Sequence, residues 1–148
     1  MGKVYNISFD STLSYSGANN NKRSYVTDWA SFLPDNTPFR VTFSFSGADI
    51  TMVNNEVMTL HMDIGQTCSY AAGTSQTSST RYLGILIVNG SGVAGNYYAT
   101  HTTNPPVYIR KRPSSNVTEV ELHQGLTSTN FNNPVPGNYV LTLAFEEL

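Results

Sequence analysis

The stretch Phe39-Arg40-Val41-Thr42-Phe43-Ser44-Phe45-Ser46 decides the fold class, because large apolar side chains at its odd positions alternate strictly with polar ones at its even positions. A repeat of two is that of a β-strand, whose successive side chains point to opposite faces, so this strand has one dry and one wet face. The same alternation recurs on both sides of it. Tyr5, Ile7 and Phe9 alternate with Asn6 and Ser8; Met58, Leu60, Met62 and Ile64 with Thr59, His61 and Asp63; Val120 and Leu122 with Glu119, Glu121 and His123; Tyr139, Leu141, Leu143 and Phe145 with Thr142 and Glu146. Each reads as a half-buried strand. Residues 82–88 (Tyr-Leu-Gly-Ile-Leu-Ile-Val) are apolar on both parities, which predicts a strand covered on both faces, by the core and by a loop or a second subunit.

Shorter pieces complete the pattern. Val107-Tyr108-Ile109 is a brief strand bounded by Pro105-Pro106 and Pro113, and weaker candidates lie at 25–32 and 97–100. Helical periodicity is not sustained over any window of the chain, and at most one turn is expected, near 28–32. The connections at 14–24, 47–56, 68–81, 89–96 and 125–138 are rich in Gly, Ser, Asn and Pro, and several exceed a tight hairpin. Greek-key and jelly-roll sandwiches need such connections, because a returning strand must cross between sheets. No internal repeat suggests a propeller or solenoid. The expectation is one all-β domain over residues 1–148, a single jelly-roll β-sandwich of two four-stranded antiparallel sheets. Its expected core is Ile7, Phe9, Phe39, Val41, Phe43, Phe45, Leu60, Met62, Ile85, Leu122, Tyr139, Leu141, Leu143 and Phe145.

Composition narrows the function classes. The chain has 148 residues, 39% of them hydrophobic and only 12% charged, with a net charge of −2. Ser, Thr and Asn supply about a third of it, so its polar surface is built from hydroxyls and amides. High aromatic and low charge content disfavours disorder, and the missing basic excess disfavours electrostatic binding to nucleic acid or membrane. The opening Met1-Gly2-Lys3-Val4-Tyr5 carries no apolar leader, and no run approaches a membrane span, so neither a secretion signal nor a span is expected. Asn6 stands where a myristoylation motif has Ser or Thr. Cys68 is alone, which excludes an intrachain disulfide. Sequons at Asn6, Asn89 and Asn116 are no more than chance supplies at this Ser, Thr and Asn content.

Candidate chemistry is sparse. His61 and Asp63 share a strand face as a metal pair would, yet His101 and His123 lie in other segments and no third ligand stands at metal spacing. No nucleophile elbow or phosphate loop occurs, Asn89-Gly90-Ser91-Gly92 reads as a turn, and Cys68 has no local His. No catalytic residue, cofactor or metal is expected. The single basic run, Arg110-Lys111-Arg112 beside Tyr108, suits pairing with a neighbour's acidic rim better than nucleic acid, given the negative net charge. Trp29, Tyr15, Tyr25, Tyr70, Tyr97 and Tyr98 fall in loops or short strands, where they can stack on sugars as in jelly-roll lectins or anchor a protein interface. Tyr108, Arg110, Lys111, Arg112 and Trp29 are the expected assembly contacts.

Several segments resemble a known family. Tyr5-Asn6-Ile7-Ser8-Phe9-Asp10-Ser11, a Ser/Gly/Asn loop, Tyr25-Val26-Thr27-Asp28-Trp29, Leu33-Pro34, the strand from Phe39 to Phe45, and the ending Pro136-Gly137-Asn138-Tyr139-Val140-Leu141-Thr142-Leu143-Ala144-Phe145-Glu146 resemble short single jelly-roll capsid components of large double-stranded DNA viruses, especially those of algae. The resemblance implies a non-enzymatic virion protein, either the penton or another minor capsid protein, made in the host cytoplasm. It implies self-association, with a pentamer favoured, and contact with a double jelly-roll major capsid protein. Larger pentons carry an inserted projecting domain that this chain lacks. The alternative is a jelly-roll carbohydrate- or receptor-binding attachment module.

Overall fold

The computed structural model describes residues 2–14, 16–19, 22–50, 58–65, 70–72, 77–79, 82–87, 95–100, 104–124 and 138–148. Its strands are β1 (Val4–Asp10), β2 (Ser16–Asn19), β3 (Lys22–Val26), β4 (Phe39–Ile50), β5 (Met58–His61), β6 (Tyr70–Ala72), β7 (Thr77–Ser79), β8 (Tyr82–Ile87), β9 (Gly95–Thr100), β10 (Val107–Ile109), β11 (Val117–Gln124) and β12 (Asn138–Glu147). One short helix, α1 (Trp29–Phe32), stands between β3 and β4 where the sequence predicts a turn. No helix among the described residues is long and apolar enough to cross a membrane.

The pairing is nested. In the first sheet β1 pairs β12, β12 pairs β4, and β4 pairs β9; in the second β3 pairs β11, β11 pairs β5, and β5 pairs β8, all antiparallel. Counting those eight strands along the chain, the first pairs the last, the second the seventh, the third the sixth and the fourth the fifth. That is a long antiparallel hairpin rolled up on itself, which defines a jelly roll. The expected pair of four-stranded sheets is thus present, and each gains one short strand to make five. On the first sheet β4 is long enough that its start pairs β10 and its end pairs β9; on the second, β2 adds outside β3. A separate β6–β7 hairpin forms within 68–81, a segment expected to be loop.

The inner faces meet in one hydrophobic cluster. Phe39, Val41, Phe43 and Phe45 of β4 and Tyr139, Leu141, Leu143 and Phe145 of β12 are all buried, at 4% exposure or less. Burial of such side chains is worth roughly 1.5–3 kcal/mol each. Most of the expected core lies there; Ile7 is only partly buried, and the Ile85 side chain lies outside the described residues. Trp29, Leu33 and Ile50 are core members that alternation alone did not single out, and Met58 and Val120, on the apolar parity of their strands, join the core beyond the expected set.

Two details depart from simple alternation. The sequence places Gly47 at the start of a connection, yet β4 runs on to Ile50 through a register shift in its pairing with β9. A side chain at Gly47 would collide with Ile50, and Asp49 takes a φ of 55° at the shift. The bulge turns Ile50 into the core with none of its surface exposed. The second departure concerns β5 and β11, expected to be half-buried. Thr59, His61, Glu121 and His123 are polar-face residues, yet all are buried, at 9% exposure or less. His61 and His123 sit on adjacent strands and stack, ring centroids 3.9 Å apart, so each ring covers the other.

Candidate functional site

The outer face of the first sheet is a grid fixed by strand register. One row runs Val4, Glu146, Arg40, Tyr108; the next Asn6, Ala144, Thr42; the next Ser8, Thr142, Ser44, Thr100; and the last Asp10, Val140, Ser46, Tyr98. Between its charged first row and Asp10 the face carries, apart from Asn6, only small hydroxyl and methyl side chains. Ser8 and Thr142 share a hydrogen bond of 2.8 Å, and Arg40 meets Glu146 at 3.2 Å. The latter pair is partly exposed and worth little to stability.

Beyond the Asp10 row the sheet bears an open groove of about 360 Å³, lined by Asp10, Thr12, Ser46, Gly47, Ala48, Asn96, Tyr98, Asn138, Tyr139 and Val140. Its floor is low because β4 contributes Ser46, Gly47 and Ala48 there. One wall comes from β1 and β12, the other from β9. Since β12 and β9 flank β4 at about 4.8 Å each, those two walls stand about 10 Å apart, with β1, which carries Asp10, one strand further out.

The polar groups on these walls are held in fixed orientations. Asp10 Oδ1 accepts both the backbone N–H of Thr12 (2.9 Å) and its hydroxyl (2.7 Å), which leaves Oδ2 without a hydrogen bond among the described residues. Those two bonds, the hydroxyl's first, hold the carboxyl below its ordinary pKa and keep it anionic. Buried Ser11 accepts the Tyr139 N–H at 3.0 Å and donates to Asn138 Oδ1 at 3.3 Å. The Asn138 amide is therefore oriented with Oδ1 inward and its Nδ2 as the outward donor. On the far wall Asn96 Oδ1 accepts the N–H of Asp49, the bulge residue, at 3.4 Å, so its Nδ2 also faces out. Tyr98 completes that wall with its ring 74% exposed. The groove thus offers one anionic acceptor, two carboxamide donors and an aromatic face.

The residues expected to make assembly contacts divide. Tyr108 and Arg110 are exposed, Tyr108 on the outer grid opposite Arg40. Lys111, Arg112 and Trp29 come together around a second cavity of about 250 Å³, with Ala30, Asp35, Pro113, Ser114 and Asn116. Arg112 is spent within the chain: its Nη1 donates to the Leu33 carbonyl at 2.9 Å and its Nη2 lies 3.8 Å from Asp35. Trp29 is 3% exposed, packed edge-on against Phe145 at 5.5 Å and near Phe9 at 6.5 Å. The indole plugs the end of the sandwich, as α1 turns it inward from an Asp28 cap, and it presents no ring to a partner. Tyr25 is likewise buried, edge-on to Phe9, with its hydroxyl 3.3 Å from that of Tyr139. Tyr15 and Cys68 lie outside the described residues, as does His101, and of Tyr70 only the backbone is described.

His61 and Asp63 do not share a strand face, because β5 ends at His61 and Asp63 begins a 3-10 turn. His61 Nε2 is 2.9 Å from Thr59 Oγ1, and His123 Nε2 is 3.9 Å from Glu121. Among the described residues no group of three or more His, Cys, Asp or Glu is placed to hold a metal ion. The groove residues Asp10, Asn96 and Asn138 were not singled out from sequence. The available signal was the run of small outward positions Ser44, Ser46 and Ala48 along β4, with Ser46 opposite Tyr98.

No family model matches the chain, and no curated protein matches its sequence. Among solved structures it is similar to the capsid of Ralstonia phage GP4, at 13% identity and a TM-score of 0.42, over 99% of this chain and 86% of that one. It is also similar to a chain of the T13 IBDV viral particle, at 13% identity and a TM-score of 0.30, over 99% of this chain and 35% of that one.

Proposed function

We propose that the chain is a structural, non-enzymatic virion protein, a capsid building block in the penton or another minor position. The observation that carries this reading is the nested pairing of eight strands into two facing sheets. A jelly roll is a stiff wedge, and repeated wedges joined at fixed angles close into a shell. The segments that resemble algal-virus capsid components include β1, β4 and β12, three adjacent strands of the first sheet. Exposed apolar side chains supply contacts: Val26 and Val117, 72% and 40% exposed, stand opposite one another across the β3–β11 pair, and Leu13 is 77% exposed.

In this reading the copies associate with one another, a pentamer favoured, and dock on a double jelly-roll major capsid protein in the virion after synthesis in the host cytoplasm. Arg110 and Lys111, both exposed, are the cations offered to a neighbour's acidic rim, and Tyr108 is the adjacent aromatic anchor. Arg112 instead braces the segment that carries them. Contact with nucleic acid is not part of the role. Light scattering behind a sizing column, at micromolar protein, tests the proposal. A closed pentamer is expected for a penton and a monomer for a minor component ordered by its neighbours; a stable trimer would overturn both in favour of an attachment head.

A further inference from the structure

We propose that the groove between Asp10, Asn138, Asn96 and Tyr98 is a binding site for a neutral hexopyranose, a terminal sugar of a glycan. The proposal stands apart from the capsid reading, since it concerns one face of one chain.

The chemistry of the walls selects the ligand class. A pyranose carries adjacent hydroxyls, each a donor and an acceptor, and a ring with an apolar face of C–H bonds. The groove carries the complement. Asp10 Oδ2 has no hydrogen bond among the described residues and accepts from one hydroxyl. The outward Nδ2 groups of Asn138 and Asn96 donate to hydroxyl oxygens, and their orientation is set from behind by Ser11 and the Asp49 N–H rather than chosen on binding. The Tyr98 ring, 74% exposed, is an aromatic wall against which a sugar's C–H face can lie. A volume of about 360 Å³ and walls about 10 Å apart suit one ring rather than a chain lying along the sheet.

Other ligand classes fit less well. The groove is lined by one carboxylate and no cation, which repels phosphates, sulfates and uronic acids. An organic cation would need Asp10 and Tyr98 together. They stand at opposite ends of one register row, their backbones three strand spacings or roughly 14 Å apart, a span that a sugar ring with its hydroxyls bridges between the two side chains and a compact ammonium does not. The two amide donors between them would face a cation with the wrong sign.

The site is tested by saturation-transfer NMR on the full chain with methyl glycosides of glucose, galactose and mannose at about 10 mM, the range a small open site requires. At least one is expected to receive saturation, and glucuronate to receive none. Tyr98→Ala and Asn96→Ala should each weaken binding about tenfold or more, while Tyr108→Ala, at the far end of the same face, leaves it unchanged. The Tyr98 ring is mostly exposed, so its loss should not shift the denaturation midpoint, which separates lost binding from lost fold. Absence of transfer to all three glycosides overturns the proposal. Equal transfer in wild type, Tyr98→Ala and Asn96→Ala overturns it as well.

Discussion

Gly84 on β8 is the position where one methyl group tests the packing of the two sheets. It pairs Leu60 in the second sheet, and the ring of Phe43, from β4 in the first sheet, reaches across to lie on its backbone. A Cβ built on Gly84 would stand 2.5 Å from Phe43 Cζ and 3.0 Å from Asn104 Cγ. Gly84 is not in the left-handed region, so alanine is allowed by the backbone and sterics alone set the sign. Reducing the freedom of the unfolded chain favours Gly84→Ala by about 0.4–1 kcal/mol. Overpacking opposes it by about 1–3 kcal/mol. The upper part of that range applies, because the ring cannot retreat: Phe43 is 4% exposed, between Val41 and Phe45 at 1% each. The expected net loss is therefore about 1–2 kcal/mol, read as a lower urea midpoint at unchanged m. Shortening the intruding side chain should relieve it. In Gly84→Ala with Phe43→Leu, the double variant should be more stable than the sum of the singles by about 1 kcal/mol. A midpoint for Gly84→Ala at or above wild type would refute the placement of the Phe43 ring on β8.

Three further expectations come from polar contacts. Ser11→Ala removes the acceptor of the buried Tyr139 N–H and should cost about 1–3 kcal/mol in chemical denaturation. Asp10 titrates below its ordinary value of 3.8, so its contribution is present above that pH and is lost as pH falls through the lowered pKa; Thr12→Val should move the carboxyl pKa upward in an NMR titration. Tyr25 and Tyr139 are pushed up, chiefly by burial, so their shared contribution is present below the ordinary value of 10.0 and fades as pH rises beyond it. Both should ionise above the ordinary tyrosine range in an absorbance titration.

What could be read from the sequence was whatever repeats locally. The strands β1, β4 and β12 show their inner faces as odd-numbered apolar positions because each has one dry side. By contrast β2, β6 and β7 consist of Ser, Gly, Asn, Thr and Ala with a single Tyr, and a short strand paired through its backbone leaves no apolar period to detect. Parity told which way Thr59, His61, Glu121 and His123 point but not that they are buried; for the two histidines burial comes with a stack between residues more than sixty positions apart in sequence. Trp29 was misplaced for a related reason. The residues around it, Thr27, Asp28, Ala30 and Ser31, carry no alternation that marks an inner face, while the rings that bury it belong to Phe9 and Phe145 at the two ends of the chain. The groove was invisible as a unit because Asp10, Asn138 and Asn96 come from three strands brought together only by the nested pairing.

The two proposals constrain each other. A sugar can reach the groove only if the Asp10–Tyr98 end of the first sheet's outer face stays uncovered in the assembled shell, so the contacts that join copies must run elsewhere, through strand edges, the ends of the sandwich and the Arg40–Tyr108 end of that face. The exposed residues of the basic end meet that condition, since Arg110 and Lys111 follow β10 at the start of β4. The groove lies at the other end of β4, around Ser46 and Ala48, some six residues or roughly 20 Å along the strand from Arg40. Stability comes from neither place; it comes from inner-face residues such as Leu141, Leu143 and Phe145, which have no exposed surface. Assembly and sugar binding should therefore come apart. Arg110→Glu with Lys111→Glu should lower the oligomer mass in light scattering and leave saturation transfer intact, whereas Tyr98→Ala should do the reverse. If Tyr98→Ala instead dissolved the oligomer, the groove would be an interface between copies, and the sugar could not share it.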